Sequence, residues 1–188
     1  PDERVDLRLL TLPEGEPVEV AVPLGPIDLR LGGMDYRMAG ADVALVTISR
    51  QPSGLLMGLR VAGALTGPCW RCLEEAAVPI EIDATEFSAD ADGTDGGEEP
   101  DPELVSPYLE DERIDAALWA RDAFAEAVPP RILCREDCAG LCPGCGADLN
   151  AGPCGCAQPP PDSRWEALRE AAARLGLDPG TDDRHPGG

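Results

Sequence analysis

Between positions 55 and 66 the chain mostly alternates. Leu55, Met57, Leu59, Val61 and Leu65 fall on one side, and Leu56, Gly58, Arg60, Ala62 and Thr66 on the other. A period of two with one side mostly apolar predicts a half-buried strand. Residues 43–48 (VALVTI) form a denser apolar strand, and the turn-rich RQPSG between them joins the two as a hairpin. Val78, Ile80 and Ile82 alternate with Glu81 and Asp83, which predicts a further strand. Shorter runs at 5–10, 18–22 and 27–31 are separated by proline and glycine. The pattern predicts an antiparallel sheet, as a meander or a partly open β-barrel.

Two stretches switch to helical spacing. Residues 112–127 place Ile114, Ala117, Leu118, Phe124 and Ala125 near one face with Val128, and Val128-Pro129-Pro130 stops the helix. Arg121 falls toward the same face. A second, short helix starts at 162 or 163 after Pro159 to Pro161, with Trp165, Leu168, Ala172 and Leu175 in register. An apolar stripe is more often core than docking surface, so Trp165 is expected to pack inward and cap the segment before it. Residues 88–103 carry seven carboxylates, no basic residue and no apolar period, which predicts a disordered acidic loop. Counted from Asp90 they miss a calcium loop, because Thr94 and Asp95 stand where an acid and a glycine are needed. The fold class is therefore α+β: a mainly β domain over 1–133 with helix 112–127, a cysteine-rich module with its capping helix over 134–177, and a disordered tail over 178–188.

Composition narrows the function. At 188 residues the chain buries one modest core and a small appendage. Its formal charge of −21 disfavours nucleic-acid binding through a broad basic face and favours a basic partner; solubility alone also explains a high charge. Arg8, Arg30, Arg37 and Arg60 would make a basic patch if their strands shared a face. The opening PDERVDLRLL has no apolar core of signal-peptide length, and no later run has the roughly 20 apolar residues of a membrane span. A cytoplasmic, non-membrane protein is expected.

In such a reducing compartment clustered thiols are more often metal ligands than disulfides. The chain has eight cysteines in four close pairs: Cys69/Cys72, Cys134/Cys138, Cys142/Cys145 and Cys154/Cys156. Two thiolates a few residues apart on a tight turn can face one ion, and a second pair closes a tetrahedral site. The spacing predicts two structural zinc ions, which would take the formal charge from −21 to about −25. Cys142, Cys145, Cys154 and Cys156 can close locally, which leaves Cys134 and Cys138 to join Cys69 and Cys72 at long range. The rival arrangement puts Cys134, Cys138, Cys142 and Cys145 in one site, and spacing alone does not choose between them.

Enzyme chemistry finds little support, and no catalytic residue is assigned. The one histidine, His185, lies in the terminal tail, so no cysteine or serine has a histidine base in a folded position. A catalytic zinc keeps an open position, whereas eight paired thiols make closed sites. No glycine-rich phosphate loop or small-molecule site is evident: Gly32-Gly33 lacks the strand–loop–helix context.

The elements GPCWRCLEEAAVPIEI, LCREDCAGLCPGCGADLN and PCGC, taken together, resemble the YceD-like proteins of bacteria and plastids, from the N-terminal strands to the helix at Trp165. The resemblance implies a role in 23S rRNA accumulation, close to assembly of the large ribosomal subunit. The resemblance implies that some relatives keep the first pair while lacking the CPxCG tail, in line with a separable second site. The expected partner is a large-subunit precursor, met through rRNA or a basic ribosomal protein, and nucleic-acid-contacting residues stay unassigned. Two other classes remain: a redox-responsive zinc protein, suggested by Cys154 and Cys156, and a protein-binding adaptor unrelated to ribosomes.

Overall fold

The structure, a computed structural model, describes residues 3–90, 104–156 and 163–175. The acidic stretch beyond Asp90 and the tail from 178 lie outside the described residues. The chain divides into two compact units, Pro1–Gly140 and Leu141–Gly188. Cys134 and Cys138 thus belong with the first unit, whose end at Gly140 lies seven residues beyond residue 133.

Among the described residues the first unit holds nine strands and one α-helix. Six strands form the main antiparallel sheet: β2 (Val18–Pro23), β3 (Ile27–Leu31), β4 (Met34–Ala39), β5 (Val43–Gln51), β6 (Gly54–Pro68) and β7 (Glu75–Ala89). The long β6 organises it. β7 pairs with all of β6 from Gly54 to Pro68 and so takes one whole edge. The other edge is shared, with β5 beside residues 54–60 and β4 beside residues 64–66. The sheet therefore forks rather than running as a plain meander, and it does not close into a barrel. The 43–48/55–65 hairpin forms as its pattern predicts, turning after the Gln51–Gly54 pair.

Two turns explain what the pattern missed. Gly32 and Gly33 both have positive φ (58° and 83°) between paired Leu31 and Met34. That is the two-residue turn matched to strand twist, and it makes β4, which has no clean alternation, the partner of β3. Asp111 and Glu112 do the same with φ of 49° and 57° between β8 (Leu109–Glu110) and β9 (Arg113–Asp115). These two strands and β1 (Arg4–Asp6) make a small second sheet in the order β1-β9-β8. The expected helix start at 112 is thus wrong by four residues: α1 runs over Ala116–Ala127. Asp115 caps it by accepting from the Leu118 N–H at 3.0 Å while also binding the Arg4 guanidinium.

The core lies between the inner face of the main sheet and α1. Leu55, Met57, Leu59, Val61 and Leu65 are buried, as their alternation predicts, with Val46 and Ile48 of β5. The helix face is rotated from the expected one. Ala116, Trp119, Ala120 and Phe124 are buried, whereas Leu118 and Arg121 face water. Trp119 is large enough to define the buried side, and its ring stacks on Tyr108 at 5.5 Å.

The second unit contains a cysteine-bearing loop and α2 (Glu166–Arg174). The inward packing expected of that helix's apolar residues is not seen. Trp165 is 58% exposed, and Leu168 and Leu175 are exposed as well. Among the described residues no helix is long and apolar enough to cross a membrane.

Candidate metal centres

The eight cysteines gather into two groups of four: Cys69, Cys72, Cys134 and Cys138 in the first unit, and Cys142, Cys145, Cys154 and Cys156 in the second. Within each group the sulfurs all lie within 4.8 Å of one another. The local-plus-distant pairing is the one formed, not its rival.

The first group is built on the β6–β7 hairpin. After the last strand pair, Pro68 with Glu75, the loop turns tightly. Cys69 N–H donates to Glu74 O (2.7 Å) and Leu73 N–H to Cys69 O (3.0 Å). This turn aims Cys69 and Cys72 at one point, and the Arg71 N–H donates to Cys69 Sγ at 3.5 Å. The second pair arrives on the segment after α1, held by Trp70 N–H donating to Ile132 O (2.8 Å) and by the Arg71 guanidinium donating to Cys138 O (2.8 Å). Gly140 is required where that segment passes the loop. Its φ is +74°, and a Cβ there would lie 3.0 Å from Arg71 O and 3.2 Å from Arg71 Cβ.

The second group is local. Gly146 N–H donates to Cys142 O and Cys142 N–H to Ala147 O, both at 2.8 Å, closing a knuckle flanked by the Leu141–Asp148 bridge. Gly144 N–H donates to Cys142 Sγ at 3.4 Å, as Arg71 does to Cys69. Asp148 then starts a turn, its carboxylate accepting from the Asn150 N–H at 2.9 Å, and the chain returns with Cys154 and Cys156.

Do these groups fit a metal ion? A tetrahedron of sulfurs about 2.3 Å from a central zinc has edges of about 3.8 Å. Cys69 and Cys138 Sγ are 3.8 Å apart, and Cys72 and Cys134 Sγ 3.6 Å. A disulfide needs about 2.05 Å. All eight are free thiols. The residues fit a closed four-thiolate site with no position left for substrate or water.

The electrostatics of the thiols agree. Burial raises the Cys69 pKa, but N–H donation from Cys72, Cys134 and Arg71 outweighs it and brings the thiol down to about 6. Cys142 is likewise lowered to about 6, through the Cys154 thiol and the Gly144 and Cys145 amides. Their neighbours move the other way. Cys134 is pushed up to about 12 by loss of water around its sulfur, although the residue as a whole is exposed, and by the three thiols beside it. Cys156 is pushed up to about 11, first by its contact with Cys145. One thiolate per group is stabilised, and its neighbour, Cys134 in the first group and Cys156 in the second, resists ionisation. A divalent cation removes that conflict by replacing the remaining protons.

The sequence reading missed the surroundings of the first group. Trp70 on its loop is 54% exposed, with the Arg131 guanidinium 5.3 Å from the ring centroid. Leu73 holds a left-handed φ of 66° and is 64% exposed. The basic patch that Arg8, Arg30, Arg37 and Arg60 would make if their strands shared a face does not form a free basic surface. Each is ion-paired, with Asp6, Asp35, Asp28 and Glu19 respectively.

Residues 57–170, more than half of the chain and including all eight cysteines, match the family of the large ribosomal RNA subunit accumulation protein YceD. The chain belongs to the YceD family. It is also 34% identical, over 117 residues, to uncharacterised proteins of Mycobacterium bovis and Mycobacterium tuberculosis. That alignment covers 62% of this chain and 55% of each relative, so the chain spans about half the length of the curated relatives it matches. No solved structure matches it. The family takes its description from accumulation of large-subunit ribosomal RNA, and the two cysteine groups could each hold a metal ion.

Proposed function

We propose that this YceD-family chain is a non-enzymatic factor in 23S rRNA accumulation, acting in the cytoplasm by binding a large-subunit precursor and stabilised by two zinc ions. The observation that carries the zinc assignment is the spacing of the sulfurs, near that of a four-thiolate tetrahedron in a tightly turned, amide-lined loop. Thiolates and a borderline-soft tetrahedral ion match, whereas calcium and magnesium require oxygen ligands. A binding role rather than catalysis follows from the same closure, since every thiol is spent and no coordination position is left for a reacting group.

The formal charge of −21 shapes how the precursor would be met. A diffuse grip on phosphates is disfavoured, so contact with rRNA is local, or a basic ribosomal protein carries it. Two measurements test the reading. Protein purified without chelator is expected to carry close to two zinc ions per chain, and to co-sediment with large-subunit precursors from cell extracts. Elemental analysis without a transition metal, together with native disulfides by mass spectrometry, would overturn the zinc assignment. Absence from precursor particles would overturn the ribosomal role.

One observation favours a second reading for the Leu141–Gly188 unit. Cys145 and Cys156 are exposed and Cys154 is partly so, which leaves this group open to oxidants. Zinc release under mild peroxide, coupled to loss of precursor binding, would mark it as redox-responsive. Retention of both ions under peroxide would remove that reading.

A further inference from the structure

The arginines of the first unit show an uneven use of charge. Nine of those described sit in ion pairs with carboxylates: Arg4, Arg8, Arg30, Arg37, Arg50, Arg60, Arg113, Arg121 and Arg135. Arg71 and Arg131 do not. Arg71 donates to the backbone carbonyls of Cys138 and Glu136, and Arg131 lies over the Trp70 ring. The chain has 36 acidic residues against 15 basic ones, so a carboxylate is the partner most readily found. Among the described residues these two guanidiniums have no carboxylate partner, one on the cysteine-bearing loop and one on the segment packed against it, a local exception in an acidic chain.

They accompany a second exception. Trp70 exposes about half of its surface on a loop where no core needs it, and Leu73 three residues on is more exposed still. Leu73 gains little burial in return for its left-handed backbone, a conformation that crowds an L-residue's Cβ. It forms one wall of an open cleft of about 650 Å³ that also includes Tyr36 and Pro68. The loop itself is not loose. It is pinned by the Trp70–Ile132 and Arg71–Cys138 hydrogen bonds and by two buried cysteines. An exposed aromatic ring on a pinned loop, with the Arg131 guanidinium over one face, can stack an unpaired nucleobase on its other face while the cation meets the adjoining phosphate.

We infer that Trp70 and Arg131 form a contact site for an unpaired nucleotide of RNA. This rests on the proposed binding to a large-subunit precursor and names the contact: the local site that a −21 chain needs in place of a basic face. Glu74, Glu75, Glu136 and Asp137 flank the site in sequence, which limits it to one or two phosphates and excludes duplex RNA from lying along it.

The test uses the zinc-loaded full chain in a Trp165→Phe background. Trp119 is buried, so Trp70 is then the exposed indole whose fluorescence is read. Titration with a short oligo(U) at low salt is expected to quench it. Trp70→Ala, followed by anisotropy of labelled oligo(U), is expected to weaken binding about 5- to 150-fold, while Trp70→Phe retains most of it. Arg131→Gln is expected to lower the salt dependence by about 0.7 in logarithmic slope, one phosphate contact, whereas Trp70→Ala leaves that slope unchanged. Zinc content and melting temperature, measured on each variant, separate these effects from unfolding of the loop. Unchanged oligo(U) affinity in both zinc-replete variants overturns the site, as does equal competition by duplex RNA. Loss of capture of a basic ribosomal protein with RNA binding intact overturns it in favour of a protein dock. Co-sedimentation is scored separately. Wild type that reaches precursors, with both variants equal to it, sinks this inference and leaves the function standing; Trp70-dependent oligo(U) binding without co-sedimentation does the reverse.

Discussion

The two four-cysteine groups share chemistry and differ in mechanical position. The first draws its pairs from positions more than 60 residues apart, and Cys69, Cys72 and Cys138 are buried. The second draws all four thiols from within a single loop, and only Cys142 is buried. Each has a knuckle whose first sulfur accepts a backbone N–H two residues on. Similar local geometry therefore does two jobs. In the first unit a bound ion would tie the β6–β7 hairpin to the segment leaving α1, closing a long loop whose entropy the fold must otherwise offset. In the second unit it would organise a loop too short and too polar to bury a core of its own, as in other small metal-dependent modules.

That contrast is broken most severely at the first group. Cys72→Ser is expected to lower zinc content by about one ion per chain and to loosen the whole sheet–helix unit, because metal binding in such sites contributes folding free energy of order 10 kcal/mol. A melting temperature equal to wild type would show that the first ion is not a staple. Cys145→Ser is expected to remove the other ion and leave the first unit folded. Hydrogen exchange checks this: amides after Leu141 lose protection and those of β5 and β6 keep it. Global unfolding of equal size in both variants would show one cooperative unit and end the comparison.

Smaller changes sharpen it. Gly140→Ala forces a side chain into a left-handed φ against Arg71 and is expected to destabilise the first unit by about 1–2 kcal/mol. Competition with a chelator should then strip its ion earlier than in wild type, with the second unit unaffected. Asp115→Ala removes the α1 cap and is expected to cost about 1 kcal/mol in denaturant unfolding, with both ions retained. Loss of zinc from that variant would mean that the helix start, and not only the segment after α1, supports the first group.

Much of this was legible in the chain. Alternation at 55–65 identified the buried side of β6 because a strand turns each side chain through half a revolution. Cysteine spacing identified four knuckle pairs because each pair is positioned by one local turn. The α1 face was less legible. Several phases of AALWARDAFAEA place apolar residues together, and the choice depended on where Trp119 found a cavity to fill. Strands β4, β8 and β9 were missed because turn geometry carries them, and Asp111-Glu112 lacks the glycine or asparagine that advertises such a turn.

What the sequence by itself determined is local: the alternation of the long strands, the helix stop at Pro129, the acidic balance and the capacity of each cysteine pair to face one point. What only the tertiary structure decided is which pairs share that point, that the sheet forks along β6, and that Arg8, Arg30, Arg37 and Arg60 are neutralised while Arg71 and Arg131 lack a carboxylate partner among the described residues. The physical reason is range. A turn or a strand period is set by neighbours a few residues away, whereas a shared ion, a second strand on one edge or an ion pair joins residues that meet only when the sheet has formed and its loop entropy has been offset.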